Sequence, residues 1–294
     1  MSLISASLMK LPWQRHHAVM LAIFTTIAVL AAWPAWSDIA GIAVRDEESS
    51  HVWLVPIVVG WIAWARRERL RTCSTGGRWL GAALALMAAT AYFIGFREGW
   101  QSIWHAGAVL LVVAAVITAL GRDIFFRLFP AFFALVFIIP TPAVVRRVIA
   151  VPLQEHTASA ARVVCEMFGM MVEQHGNLLS VGGVDVTVAE ACNGMRMVFT
   201  LAYVTYAFAF ITPLRGWVRL LLLLATPVIA IIANVVRLAP TLYVFSSYDT
   251  STATKFHDFA GWVMLFIAFL LLQGIVSLMR WITLPVTPFR LAQA

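Results

Sequence analysis

WVRLLLLLATPVIAIIANVVRLAPTLYVF, residues 217–245, decides how the rest of the chain is read. This run carries only two charges, Arg219 near its start and Arg237 about 20 residues in, and a stretch so long and apolar spans a bilayer with room to tilt. A guanidinium inside such a span is costly enough that function is the default reading of Arg237. A side chain snorkelling from a helix end is the competing reading.

The remainder of the chain has the same character. Of its 294 residues, 62% are apolar and 12% are charged, and the mean hydropathy is +0.88, too apolar for a soluble core of this size. The net charge of +7 lies in short clusters between apolar runs, so topology accounts for it and no nucleic-acid partner is expected. At about 17 to 25 apolar residues per span, the chain reads as an all-α polytopic membrane protein with about eight transmembrane helices. They fall at about 18–36, 52–65, 79–96, 103–120, 124–140, 191–212, 217–245 and 259–279. The second is too short to cross unaided and relies on Trp53, Trp61 and Trp64 as interfacial anchors and on local thinning of the bilayer. Met1 to Trp36 shows no small-residue cleavage pattern before an acidic loop, so the first span is expected to stay as an anchor.

With the N-terminus inside, thirteen basic residues fall on the inner side, among them Lys10, Arg15, Arg66, Arg67, Arg69, Arg71, Arg78, Arg122 and Arg127. Six fall outside: Arg45, Arg97, Arg146, Arg147, Arg162 and Lys255. Both termini are therefore expected in the cytoplasm. The expected organisation is a cytoplasmic N-terminus at 1–17, helices one to five within 18–140, an outer segment at 141–190, helices six to eight within 191–283 and a cytoplasmic tail at 284–294.

The outer segment has two parts. In the first, Leu153, Thr157, Ala160, Val164, Met167 and Met171 share one helical face, with Glu155, Ser159, Arg162 and Glu166 opposite, as in an amphipathic helix lying in the interface. The second reads as a β-hairpin turning at Val181-Gly182-Gly183-Val184, where Val184, Val186 and Val188 alternate with Asp185 and Thr187. That hairpin delivers the chain to Cys192, in the run Glu190-Ala191-Cys192-Asn193-Gly194-Met195-Arg196.

Depth then brings three residues together. Cys192 opens a span that starts outside, Arg237 lies roughly 30 Å from the inner end of its own span, and His257 immediately precedes the last span. A thiol, a guanidinium and an imidazole at one membrane face can perform acyl transfer. Asn234, three residues from Arg237, shares its helix face.

These runs, with Asn234-Val235-Val236-Arg237 and His257-Asp258-Phe259-Ala260-Gly261, resemble the Cys, Arg and His motifs of the exosortase/archaeosortase family. Ser50-His51-Val52-Trp53-Leu54-Val55-Pro56 and Gly176-Asn177 look like further landmarks, so the resemblance spans about Ser50 to Gly261. One departure is visible: Asn193 follows the cysteine where the family more commonly has Ser, which puts the substrate subclass in doubt. The resemblance implies a cysteine transpeptidase or protease of the bacterial inner membrane, active at the outer, periplasmic face. Its implied partners are the lipid bilayer and exported proteins ending in a recognition motif, an apolar helix and a basic tail, as in PEP-CTERM-like sorting tails. The chain ends about fifteen residues after its last span, so any soluble partner on the outer side is expected to be a separate protein.

By that resemblance Cys192 would be the nucleophile, His257 the base and later the acid, and Arg237 the stabiliser of an oxyanion or holder of a carbonyl. Blander readings stand beside these. Cys192 read alone is as readily a small core residue, and Cys165, also outside, could bridge to it in an oxidising compartment. Arg196 is either a second site cation or the partner of Glu190. Asp258 reads as a solvated cap for the last span. His51, His156 and His175 compete with His257 as base, and His51 has the right depth. The sequence has no HExxH run, paired CxxC or clustered ligand set, no P-loop and no dinucleotide fingerprint, so no metal or cofactor is expected. A non-catalytic subunit or transporter of an exopolysaccharide export system, and a pure assembly scaffold, are the other classes. Charges gathered at one face, not along a mid-bilayer path, speak against transport.

Overall fold

The computed structural model describes residues 14–140, 142–187 and 194–281. It is mostly helical with one small sheet, and divides into two compact units, Met1–Arg45 with Val52–Pro140, and Asp46–His51 with Thr141–Ala294.

The first unit begins with α1 (Arg15–Ala31) and α2 (Trp33–Arg45), which bend by 72° at Ala32. The expected straight span at 18–36 and the acidic loop after it are therefore corrected to a broken helix reaching Arg45. Pro34 is the cause: it has no N–H for the carbonyl one turn back and disfavours helical backbone just before it. After a 3-10 turn at Glu47–Leu54 comes α3 (Val55–Ala65), then a second 3-10 turn at Arg67–Thr72. The helices α4 (Trp79–Arg97) and α5 (Gln101–Leu120) form a hairpin. Their backbones approach closely, since a Cβ on Gly95 would collide with Trp104 and one on Gly107 with Tyr92.

The expected fifth span, 124–140, is also corrected. It consists of α6 (Asp123–Arg127), α7 (Phe129–Ala134) and a 3-10 turn at Leu135–Ile138. Pro130 again forces a restart, here at Leu128.

The second unit contains α8 (Ala143–Met167), the strands β1 (Val172–His175), β2 (Leu178–Val181) and β3 (Val184–Thr187), then α9 (Gly194–Ile211), α10 (Gly216–Ser247) and α11 (Thr250–Trp281). The strands form an antiparallel sheet in the order β1-β2-β3, so the expected hairpin is the second half of a three-stranded meander. Its Gly182-Gly183 turn has both φ angles positive, 59° and 79°, the backbone that a two-residue hairpin needs and that glycine adopts without strain. The missed strand β1 is polar, Val-Glu-Gln-His, and carries little apolar alternation.

One side of α8 packs on this sheet and on α10. Ala158, Ala161 and Cys165 join Leu179, Val186, Leu238 and Leu242 in a buried cluster. Of the face read as apolar, Thr157 is buried, but Met167 and Met171 are exposed, because α8 stops at Met167 and the chain turns away at Gly169, where φ is +81°. A second cluster joins Leu222, Ile229 and Ala233 of α10 to Met264, Ala268 and Leu272 of α11, the one-turn spacing of helices packed side by side.

Among the described residues three helices, α4, α5 and α10, are each long and apolar enough to cross a membrane, and the bent pair α1–α2 makes a fourth if taken as one span. His51–Ala65, Phe129–Ile138, Phe199–Ile211 and Phe266–Trp281 are shorter apolar helices. Large apolar side chains such as Leu86 and Met87 of α4 and Leu224 and Val228 of α10 stand exposed. Water would penalise such surfaces and lipid does not, so the chain is an integral membrane protein.

Candidate functional site

Among the described candidate residues, Asn234, Arg237, His257 and His51 all belong to the second unit. Arg237 lies on the buried face of α10 and is only 3% exposed. Its carbonyl accepts a hydrogen bond from Thr241 Oγ1 at 2.8 Å, wholly buried. Asn234 stands three residues before Arg237, and its Oδ1 is buried with no hydrogen-bond partner among the described residues. A buried amide oxygen in that state is costly unless something completes it. Asn234, Arg237 and Thr241 thus form a polar stripe at helical spacing on an otherwise apolar helix. Thr241 was not picked out from the sequence, although its position four residues after Arg237 is the signal that could have found it.

His257 does not precede the last helix. It lies inside α11, which starts seven residues earlier at Thr250. The chain turns through Tyr248 and Asp249, so α10 and α11 are antiparallel neighbours. At 1.5 Å per residue, Arg237 is about 15 Å and His257 about 10 Å along their helices from that turn. They differ in level by about one helical turn.

The helix start also has a different cap from the expected one. Thr252 donates its backbone N–H to Asp249 Oδ2 at 3.1 Å and its hydroxyl to Asp249 Oδ1 at 2.7 Å, which makes Asp249 the N-cap. Asp258, inside the helix, cannot cap it. The Thr252 donors hold the Asp249 carboxyl below the usual carboxylate range.

His51 sits on the 3-10 turn before α3 and belongs with the second unit. It is 4% exposed and its ring stacks on Phe199 of α9 at 5.9 Å. The reserve histidine is thereby brought to the helix that Cys192 precedes. Neither His156 nor His175 has a comparable setting: both lie on the α8–β1 segment and neither is buried.

Glu190, Cys192 and Asn193 lie outside the described residues. Arg196 lies in the first turn of α9. The other two cysteines are buried free thiols. Burial pushes the Cys165 thiol up, with Glu166 adding to it, and pushes Cys73 up, with Asp123 adding to it. Both are therefore poor thiolates. Cys165 packs among apolar side chains as a free thiol; the other half of the bridge weighed from the sequence, Cys192, lies outside the described residues. Among the described residues no cluster of His, Cys, Asp or Glu could hold a metal ion.

No curated protein and no solved structure matches the chain. The sequence profile described as transmembrane exosortase matches residues 36–274, which includes the Cys192 run, the polar stripe of α10 and the start of α11. With that match over most of its length, the chain belongs to the transmembrane exosortase family.

Proposed function

We propose that this membrane protein is a cysteine transpeptidase or protease that cleaves the C-terminal sorting tail of exported proteins. The observation that carries the reading is Arg237, a guanidinium buried in an apolar helix beside an Asn234 oxygen that lacks a partner among the described residues. A buried charge in an apolar helix is expensive, and the Asn234 oxygen is best understood as a group that a polar ligand completes.

In the proposed reaction the Cys192 thiolate attacks the scissile carbonyl. A C–S bond forms, and negative charge develops on the carbonyl oxygen, where Arg237 stabilises it. His257 takes the thiol proton and returns it to the leaving amine as the C–N bond breaks. The resulting thioester is resolved by water, which yields a free carboxylate, or by an amine acceptor, which yields a new amide. Asn193, Arg196, Asn234 and Glu190 support the site. The tail's apolar helix enters laterally between spans and presents the bond at the periplasmic face of the inner membrane.

His51 is the alternative base, favoured by its burial against Phe199 of α9. The test of the whole reading is tail processing in cells: Cys192→Ala and Cys192→Ser should abolish it while the protein still accumulates in the membrane, and Cys73→Ala and Cys165→Ala should leave it near normal. Processing that survives in Cys192→Ala sinks the assignment.

A further inference from the structure

Outside the candidate site, the first unit carries a polar cavity at the end where α4 begins and α5 ends. The loop that follows α3 is pinned there to the start of α6. Ser74 donates its backbone N–H and its hydroxyl to Asp123 Oδ2 at 3.0 and 2.7 Å, and Arg122 N–H donates to the Gly76 carbonyl at 3.0 Å. Gly121, with φ at +96°, lets the backbones meet, since a Cβ there would press on Ser74, Thr75 and Gly76. Beside them an open cavity of about 430 Å³ is lined by Arg69 of the 3-10 turn and by Asp123, Phe126 and Arg127 of α6.

Seven arginines occupy this end, Arg66, Arg67, Arg69, Arg71, Arg78, Arg122 and Arg127, against Glu68 and Asp123. Several have visible structural tasks, and Arg66 and Arg69 also make contacts within the protein. Arg67 lies over the Trp64 ring at 4.3 Å and donates to the Trp64 carbonyl. Arg71 pairs with Glu68 at 3.2 Å. Arg78 donates to the Thr118 and Ala119 carbonyls, both at 2.9 Å, closing the end of α5. Topology asks only for positive charge somewhere in these loops. It does not ask for two arginines on one cavity.

Asp123 is committed to the loop. The Ser74 donors hold its carboxyl below the usual carboxylate range, so it stays ionised and carries one negative charge against two guanidinium groups. The lining is therefore net positive. Guanidinium forks match phosphate oxygens, and Phe126, 69% exposed, is an apolar side chain at the cavity wall. A charged pocket edged by an exposed aromatic ring at the end of membrane helices fits a phosphate that carries acyl chains better than one that does not.

We propose that this cavity binds the phosphate of an anionic phospholipid headgroup, held by Arg69 and Arg127 with an acyl chain along Phe126. Binding here does not depend on the catalytic reading.

The test uses the full-length protein in nanodiscs of phosphatidylcholine containing a minor fraction of phosphatidylglycerol, with retained lipid identified by native mass spectrometry. Wild-type protein should retain phosphatidylglycerol over phosphatidylcholine. Arg69→Gln and Arg127→Gln should each lower that preference about fivefold, the effect of one basic residue near an anionic headgroup. Arg69→Lys and Arg127→Lys, which keep the charge, should lower it less and guard against loss of fold. Arg97→Gln, at the opposite end of α4, should change nothing. No preference in the wild type, or an unchanged preference in the double Gln variant, overturns the proposal. Displacement of the lipid by millimolar inorganic phosphate would overturn the lipid as occupant and assign the cavity to a free anion.

Discussion

Thr241 hydrogen-bonds the carbonyl of Arg237 at 2.8 Å, with both residues buried in α10. Pro240 lies between them and cannot donate to the carbonyl of Val236. The turn that holds Arg237 is thus bound by a side-chain hydroxyl next to a missing backbone bond.

That placement gives the first prediction. Arg237→Lys keeps the charge and loses the planar fork, so tail processing should fall while some thioester still forms. Arg237→Ala should cost about 10²- to 10³-fold in turnover, the usual loss of an oxyanion donor. Rates near normal in Arg237→Ala would return Arg237 to a snorkelling, structural role.

The two histidines separate next. His257→Ala should lower acylation by about 10²- to 10⁴-fold, the range for a general base. His51→Ala should act more weakly, mainly by loosening the contact with Phe199. The reverse order, with His257→Ala normal and His51→Ala inactive, would move the base to the turn before α3. The rate of Cys192 alkylation against pH, measured in each variant, shows which histidine controls the thiolate.

Much of this arrangement was legible in the sequence, and what escaped did so for local reasons. The long apolar run gave α10 nearly to its ends, and the Gly182-Gly183 pair gave its turn. Periodicity could not show that Pro34 and Pro130 break their spans, because apolar composition continues across both breaks. Nor could it find β1, whose Glu173 and Gln174 carry no apolar alternation. His257 was set outside its helix because residues 250–258 are polar, whereas Asp249 caps them into helix before the apolar part begins. The packing of His51 on Phe199 joins residues far apart in the chain, and spacing carries no signal for it.

The orientation rests on basic-residue asymmetry and is open to a direct check. With native cysteines removed, an impermeant thiol reagent applied to intact cells should label a cysteine at Ser180 or Ser247 and not one at Thr75. The opposite pattern would place the candidate site at the cytoplasmic face.

The cap of α11 predicts a pH response. The Asp249 carboxyl is lowered by its Thr252 donors, so its contribution is fully present above the unfolded carboxylate pKa and is lost as pH falls through the lower folded value. Amide exchange at Thr252 should therefore quicken on acidification below the ordinary carboxylate range. Asp249→Asn should keep most of the cap and lose that dependence. Exchange independent of pH in the wild type, after correction for intrinsic rates, would contradict it.

The central claim is a covalent intermediate on Cys192. A tail peptide bearing an activated thioester-forming carbonyl, incubated with the full-length protein and followed by intact and peptide mass spectrometry, should leave its acyl group on Cys192 and release it on addition of hydroxylamine. An acyl group found on no cysteine while the peptide is still cleaved, or cleavage that continues in Cys192→Ala, would contradict the account.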